Sequence, residues 1–374
     1  MAQPTKPDIE APDTWTQQSS KVPSNMDLLL HIGLPKTGTT TLQNHVLNTV
    51  SPSLGKSDFL NAHEPEKSLR LTLAALIDGC ERRSAHTTAR RTRRWVKSVR
   101  RLAQAGLPDV GDPPGVLISS ENLSSLRSSR PWPFYSSSQY IEPNVQANDF
   151  PPIGAYLRRF LVPAWEDGQV RVLLTIRRPA EWLAAYYAQI SNRLWTPSQQ
   201  DFDAQVEFLL HDPAPLLLFD SLEADLSGAV GRANVHVLPL EQFGTPLFWE
   251  TLDAFLGPLA QGVARPDLNF NRANQRSSGR GSWKLRAQSN APIQQTKESL
   301  DNRWPHDAAP NARRLTLGAL HRLEPSRNKR VPKHAEAEIT LRDHTRKRAM
   351  ERLRPSVKRL EGHTGLDLKR LEYY

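Results

Sequence analysis

The sequence holds a single cysteine, Cys80, so no disulfide can form within the chain and nothing in it calls for an oxidising compartment. It lacks any apolar run of the length a transmembrane helix needs. It also lacks an HExxH pattern and any Cys/His cluster. Its eleven histidines are scattered, and no metal site is expected. Residues 1–25 carry no apolar stretch and are rich in Pro, Ser and Gln. That composition fits neither a signal peptide nor a membrane anchor, and a disordered leader is expected there. These absences point to a cytoplasmic location.

Hydrophobic residues make up 38% of the chain and prolines number 30, a balance that predicts long loops around a compact centre. At 374 residues the chain is long enough to bury a full core. The expectation is a single domain over residues 26–374 whose part from about residue 265 onward is basic and helical. The formal charge of +10 favours anionic partners: a multiply charged nucleotide, an acidic glycan, a lipid head or nucleic acid.

Four short apolar runs, 27–32, 116–119, 170–176 and 234–238, read as strands covered on both faces, because they are rich in Leu, Val and Ile with little alternation. Helical stretches over 39–50, 68–78, 90–105, 182–194 and 247–256 separate them. Strands alternating with helices predict an α/β fold, a three-layer sandwich with a central parallel sheet of about four or five strands. Ligands of such sheets lie beyond the carboxyl ends of the strands. There the sequence puts Gly33 to Thr41, Ser120 with Glu121, and Arg177 with Arg178.

The richest stretch is Leu28-Leu-Leu-His-Ile-Gly-Leu-Pro-Lys-Thr-Gly-Thr-Thr-Thr41. A hydrophobic strand breaks at Gly33 and restarts as a polar helix. Glycines let backbone approach an anion, Lys36 adds a point charge, and Thr39, Thr40 and Thr41 add hydroxyls at a helix start. In the P-loop of nucleotide triphosphatases the lysine follows the second glycine. Here Lys36 precedes Gly38.

The pattern G-x-P-K-x-G-T-T resembles the 5′-phosphosulfate loop of sulfotransferases that use 3′-phosphoadenosine 5′-phosphosulfate (PAPS). The resemblance implies a P-loop-like cradle, with Pro35, Lys36, Thr37, Gly38, Thr39, Thr40 and Thr41 around the donor. A second segment, Arg177-Arg-Pro-Ala-Glu-Trp-Leu-Ala-Ala-Tyr-Tyr187, is similar to the family's 3′-phosphate element, R-x-P followed by S-x-Y. Arg177, Pro179 and Tyr187 match, while Ala185 stands where the family has its serine. Arg178, or Arg276, Ser278 or Arg280 of the basic loop 269–282, is expected to compensate. The looser likenesses at 237–243, 252–257 and 357–368 carry no site residue, and Glu241 reads as a helix-start carboxylate.

Sulfuryl transfer to an alcohol needs a base. The family places a histidine or glutamate at the end of the second strand, and Glu121 fits the glutamate version. Read from the residues alone, Glu121 is equally a loop carboxylate. Ser119 and Ser120 could bond a ligand or cap a helix. The implied activity is an enzyme that sulfates a carbohydrate or glycolipid hydroxyl and releases adenosine 3′,5′-bisphosphate, with Lys36 stabilising the departing phosphate oxygen and no metal required. The alternatives are a P-loop nucleotide kinase and a non-catalytic nucleic-acid-binding protein working through the basic helices near 90–101 and 342–359. Those helices also read as solvated faces, or as surfaces for an acidic acceptor or a lipid head. The aromatic stretch Trp132 to Tyr140 could stack on sugars or pin a loop.

Overall fold

The computed structural model describes residues 26–50, 53–54, 72–77, 80, 83–105, 115–119, 123, 153–166, 168–191, 197–211, 217–261, 263, 265, 281–285 and 338–374. Five strands form one sheet: β1 (Asp27–Gly33), β2 (Ser53–Leu54), β3 (Gly115–Ser119), β4 (Val170–Ile176) and β5 (Val235–Pro239). Their order is β2-β3-β1-β4-β5, and every pairing is parallel. The expected strands all exist, with bounds within one residue. Only β2, two residues long, went unread.

Burial on both faces explains the strand sequences. Leu28, Leu30 and Ile32 of β1 join one apolar cluster, while Leu29 joins the other with Leu117, Leu173 and Leu238. Successive side chains of a strand point to opposite faces, so a strand covered twice must be apolar at every position. Each fully buried leucine contributes about 1.5–3 kcal/mol over an exposed one.

Helices cover both faces. The smaller cluster packs α1 (Thr39–His45) and α8 (Pro246–Leu256) through Leu42, Phe248, Leu252 and Phe255. The larger one takes in α2 (residues 72–77), α3 (Ala85–Ala105), α5 (Pro179–Ile190), α6 (Gln199–His211), α7 (Phe219–Val230) and α9 (Asp343–Thr364). A further helical segment begins as α4 (Ile153–Tyr156), widens into a π-helical turn over Leu157–Leu161, and ends at Val162–Ala164. An antiparallel pair, β6 (Ser282–Lys284) with β7 (Glu338–Thr340), stands apart from the sheet.

Local chemistry sets several boundaries. Pro179 opens α5, where its missing N–H has no helical partner to lose. Thr245 caps α8 by accepting from the Phe248 N–H, with Pro246 next. α1 is shorter than expected: it stops at His45 and continues only as a 3-10 turn, Leu47–Thr49. α9 is held on α7 by two buried acids. Asp220 accepts from Ser356 and Arg359, and Glu223 meets His363 at 3.1 Å. Among the described residues, no helix is long and apolar enough to cross a membrane.

Candidate functional site

β1 lies between β3 and β4, so the three strand ends expected to carry chemistry are neighbours in the sheet. The turn after β1 is built against β4. Leu34 N–H donates to Thr175 O at 3.4 Å. Thr37 donates to Leu34 O through both its N–H, at 3.2 Å, and its hydroxyl, at 2.6 Å. The same hydroxyl meets that of Thr175 at 2.8 Å. Trp182 of α5 donates its indole N–H to Pro35 O at 2.7 Å. Thr37 and Pro35, both expected to contact the donor, thus fasten the turn to its surroundings. The Thr37 hydroxyl is held inside the fold.

Two residues of this turn are left-handed: Gly38 with φ 81°, and Lys36 with φ 66°. For a lysine that conformation costs about 1–2 kcal/mol. The two glycines are needed for space as well. A Cβ on Gly33 would sit 2.0 Å from the Thr39 hydroxyl oxygen, and one on Gly38 would sit 2.5 Å from Leu240 Cδ1. Thr39 and Thr41 are buried, and Thr40 is exposed. The Thr39 hydroxyl oxygen is enclosed and has no hydrogen-bond partner among the described residues.

Arg177 and Arg178 follow β4 and are sorted to different tasks. Arg177 is partly buried, and among the described residues its side chain donates one hydrogen bond, to Lys36 O at 3.4 Å. Removal from water lowers its pKa, opposed chiefly by the charge of Glu241. Arg178 is held by the segment after α9. Its Nε donates to Leu371 O at 2.7 Å, and its guanidinium pairs with Glu372 at 3.0 Å. Of the two arginines, Arg177 is the one left facing the turn.

Glu241 lies in the first turn of the 3-10 helix Leu240–Gln242 after β5, in line with its reading as a helix-start carboxylate, and it also joins two elements. One oxygen accepts the Arg178 N–H at 3.1 Å, and the other accepts the Tyr373 hydroxyl at 2.7 Å. Burial pushes its pKa up, while these two donors oppose the rise.

The end of β3 carries a buried polar group that sequence reasoning missed. Ser119 faces His31 across the β1–β3 pairing, and its oxygen lies 2.7 Å from His31 Nδ1. Gln43 of α1 donates to the same oxygen at 2.8 Å. Ser119 is thus held within the fold. It ties β3, β1 and α1 together below the turn. Burial holds His31 neutral, with a pKa lowered to about 3, and its Nε2 has no partner. A histidine within an apolar strand gave no signal beyond its polarity.

Ser120 and Glu121 lie outside the described residues, as do residues 1–25, the aromatic stretch from Trp132 to Tyr140, and Arg276, Ser278 and Arg280. Tyr187 is spoken for structurally: its hydroxyl donates to Asp201 at 2.6 Å and accepts the Ser198 N–H at 3.1 Å. Among the described residues, no group of three or more His, Cys, Asp or Glu side chains could hold a metal ion.

α3 turns its apolar side inward through Trp95, Val96 and Val99. Arg90, Arg91, Arg93, Arg94, Lys97 and Arg101 remain exposed, on a helix with no acidic residue. On α9 the cations are differently placed: Arg346 pairs with Glu181, Arg348 with Glu207 and Arg359 with Asp220.

The turn after β1, with Arg177 beside it, offers two cations and a left-handed backbone at adjoining strand ends, an arrangement that suits a multiply charged anion. No model of a known protein family matches the chain, and no curated protein matches it.

Proposed function

We propose that this chain is a sulfotransferase that moves a sulfuryl group from PAPS to an acceptor hydroxyl on a carbohydrate or glycolipid. The observation that carries the reading is the approach of Arg177 to the Lys36 backbone, with a single 3.4 Å hydrogen bond on a partly buried guanidinium. A guanidinium carries five N–H donors, and one hydrogen bond leaves others for an anionic ligand. Lys36 lies on a strained turn beside it, and strain of this kind collects at ligand-binding sites. The unpartnered Thr39 hydroxyl adds one more group fit to accept or donate a hydrogen bond.

In this reading Lys36, with the backbone of Gly38 to Thr40, holds the 5′-phosphosulfate, and Arg177 holds the 3′-phosphate. Glu121 takes the proton of the acceptor hydroxyl as its oxygen attacks sulfur in line. The bond from sulfur to the bridging phosphate oxygen breaks, and its electron pair leaves with adenosine 3′,5′-bisphosphate. Lys36 stabilises the charge on that oxygen. α1 is a short helix, so the side-chain cations carry more of the electrostatic task than a helix dipole does.

The test is transfer of radiolabelled sulfuryl group from PAPS to fractionated glycans, glycolipids and small metabolites. The reading requires a labelled product with the natural chain and none with Lys36→Ala. A kinase would instead be protected from heat by ATP with Mg²⁺.

The exposed cations of α3 favour a second reading, a nucleic-acid-binding protein. That reading requires salt-sensitive DNA or RNA binding that survives Lys36→Ala.

A further inference from the structure

The segment that follows α9 also reaches the arginine pair. It turns back at Gly365, with φ 71°, and folds on itself through Leu371 N–H to Asp367 O and Tyr373 N–H to Leu368 O. Leu368 and Tyr373 are fully buried. Three polar contacts then fix it to the site: Tyr373 to Glu241, Arg178 to Leu371 O, and Arg178 to Glu372.

These contacts sort the two arginines. β4 and β5 pair up to Ile176 and Pro239, so Arg177–Arg178 and Leu240–Glu241 leave adjoining strands side by side. Glu241 accepts the backbone N–H of Arg178, which fixes the peptide that follows Arg177. Tyr373 occupies the second oxygen of the same carboxylate. Without its hydroxyl, that buried oxygen would be left without this donor. The Arg177 guanidinium, one residue before the Arg178 N–H that the same carboxylate accepts, is the cation it would draw.

We propose that Tyr373 is a positioning residue: by holding Glu241 it keeps the Arg177 guanidinium turned towards the Lys36 loop, available to the second phosphate of the bound nucleotide. The inference rests on the sulfotransferase reading, in which Arg177 meets the 3′-phosphate. Tyr373 itself does not touch ligand. It decides how strongly the site prefers a nucleotide that carries both phosphates.

The test uses the full chain and calorimetric titration with two probes, adenosine 3′,5′-bisphosphate and adenosine 5′-monophosphate. Tyr373→Phe removes the hydroxyl and keeps the ring. The expected result is a loss of about threefold to tenfold in affinity for the bisphosphate, with affinity for the monophosphate unchanged. Tyr374→Phe, whose hydroxyl bonds Glu361 instead, should change neither. Equal loss for both probes would mark a merely structural role and overturn the proposal, as would an unchanged preference for the bisphosphate. If Tyr373→Phe does not fold, Glu241→Gln, which leaves no carboxylate to draw Arg177 away, should keep the preference for the bisphosphate, and loss of that preference overturns the proposal. A natural chain that binds neither nucleotide overturns the sulfotransferase reading, and this inference with it. A natural chain that binds the bisphosphate while the variant keeps its full preference overturns this inference alone.

Discussion

The guanidinium of Arg177 donates to the backbone carbonyl of Lys36 across 141 positions of sequence. The contact joins the turn after β1 to the end of β4, and it brings the Arg177 guanidinium to the backbone of Lys36. Lys36 meets it from a left-handed backbone.

That conformation separates the backbone of Lys36 from its charge. Lys36→Gly removes the side chain and relieves the strain. Sulfuryl transfer should be lost, while stability stays level or rises by up to about 1 kcal/mol. Urea unfolding beside an activity assay checks both. A variant that loses more than about 1 kcal/mol would show that the side chain holds the turn together.

Gly33 is expected to tolerate no side chain. Gly33→Ala would place a methyl group 2.0 Å from the Thr39 hydroxyl oxygen and 2.8 Å from that of Thr175. Overpacking of this kind costs about 1–3 kcal/mol. Adding Thr39→Ala should recover part of the loss and not all of it, because Thr175 remains. Thermal melts of the single and double variants measure this. Full stability in Gly33→Ala would contradict the close packing of the turn.

His31 gives the fold an acid limb. Its pKa falls from 6.5 to about 3 on burial, so below pH 6.5 the unfolded chain binds a proton that the folded chain refuses. Stability from this group is present above pH 6.5 and is lost as pH falls towards 3. His236, lowered to about 4, acts in the same direction. His31→Asn should be less stable at neutral pH, yet between pH 7 and 5 it should lose about 2 kcal/mol less than the natural chain. Urea midpoints across that range decide it. Parallel slopes would mean that His31 is not buried neutral.

Glu121→Gln should lower turnover by a hundredfold or more, on the order of general-base contributions, and leave affinity for adenosine 3′,5′-bisphosphate nearly intact. Turnover and calorimetry on one preparation separate the two effects. A variant that keeps the natural rate across the pH range would remove Glu121 from the role of base.

The sheet was legible because its strands, buried on both faces, are nearly unbroken Leu, Val and Ile. α6 and α7 were not legible. Sequences such as Phe219-Asp-Ser-Leu-Glu-Ala-Asp-Leu-Ser-Gly-Ala-Val230 mix buried acids into the inward face. Asp220 and Glu223 are buried because α9 supplies Ser356, Arg359 and His363, partners far away in sequence. β6 and β7 are three residues each, too short to show alternation. At the strand ends, the strand–turn–helix pattern singled out Lys36 and Gly38, and the end of an apolar strand singled out Arg177. That the hydroxyl of Thr37 turns inward, that Arg178 is held by Leu371 and Glu372, and that Tyr373 grips Glu241 are long-range contacts with no local signature.

The most direct measurement is calorimetric titration of the purified chain with adenosine 3′,5′-bisphosphate, repeated on Lys36→Ala and Arg177→Ala. The expected result is saturable binding to the natural chain, weakened by either substitution. Absence of binding heat from the natural chain, confirmed by no shift in melting temperature with excess ligand, would contradict the anion site on which the account depends.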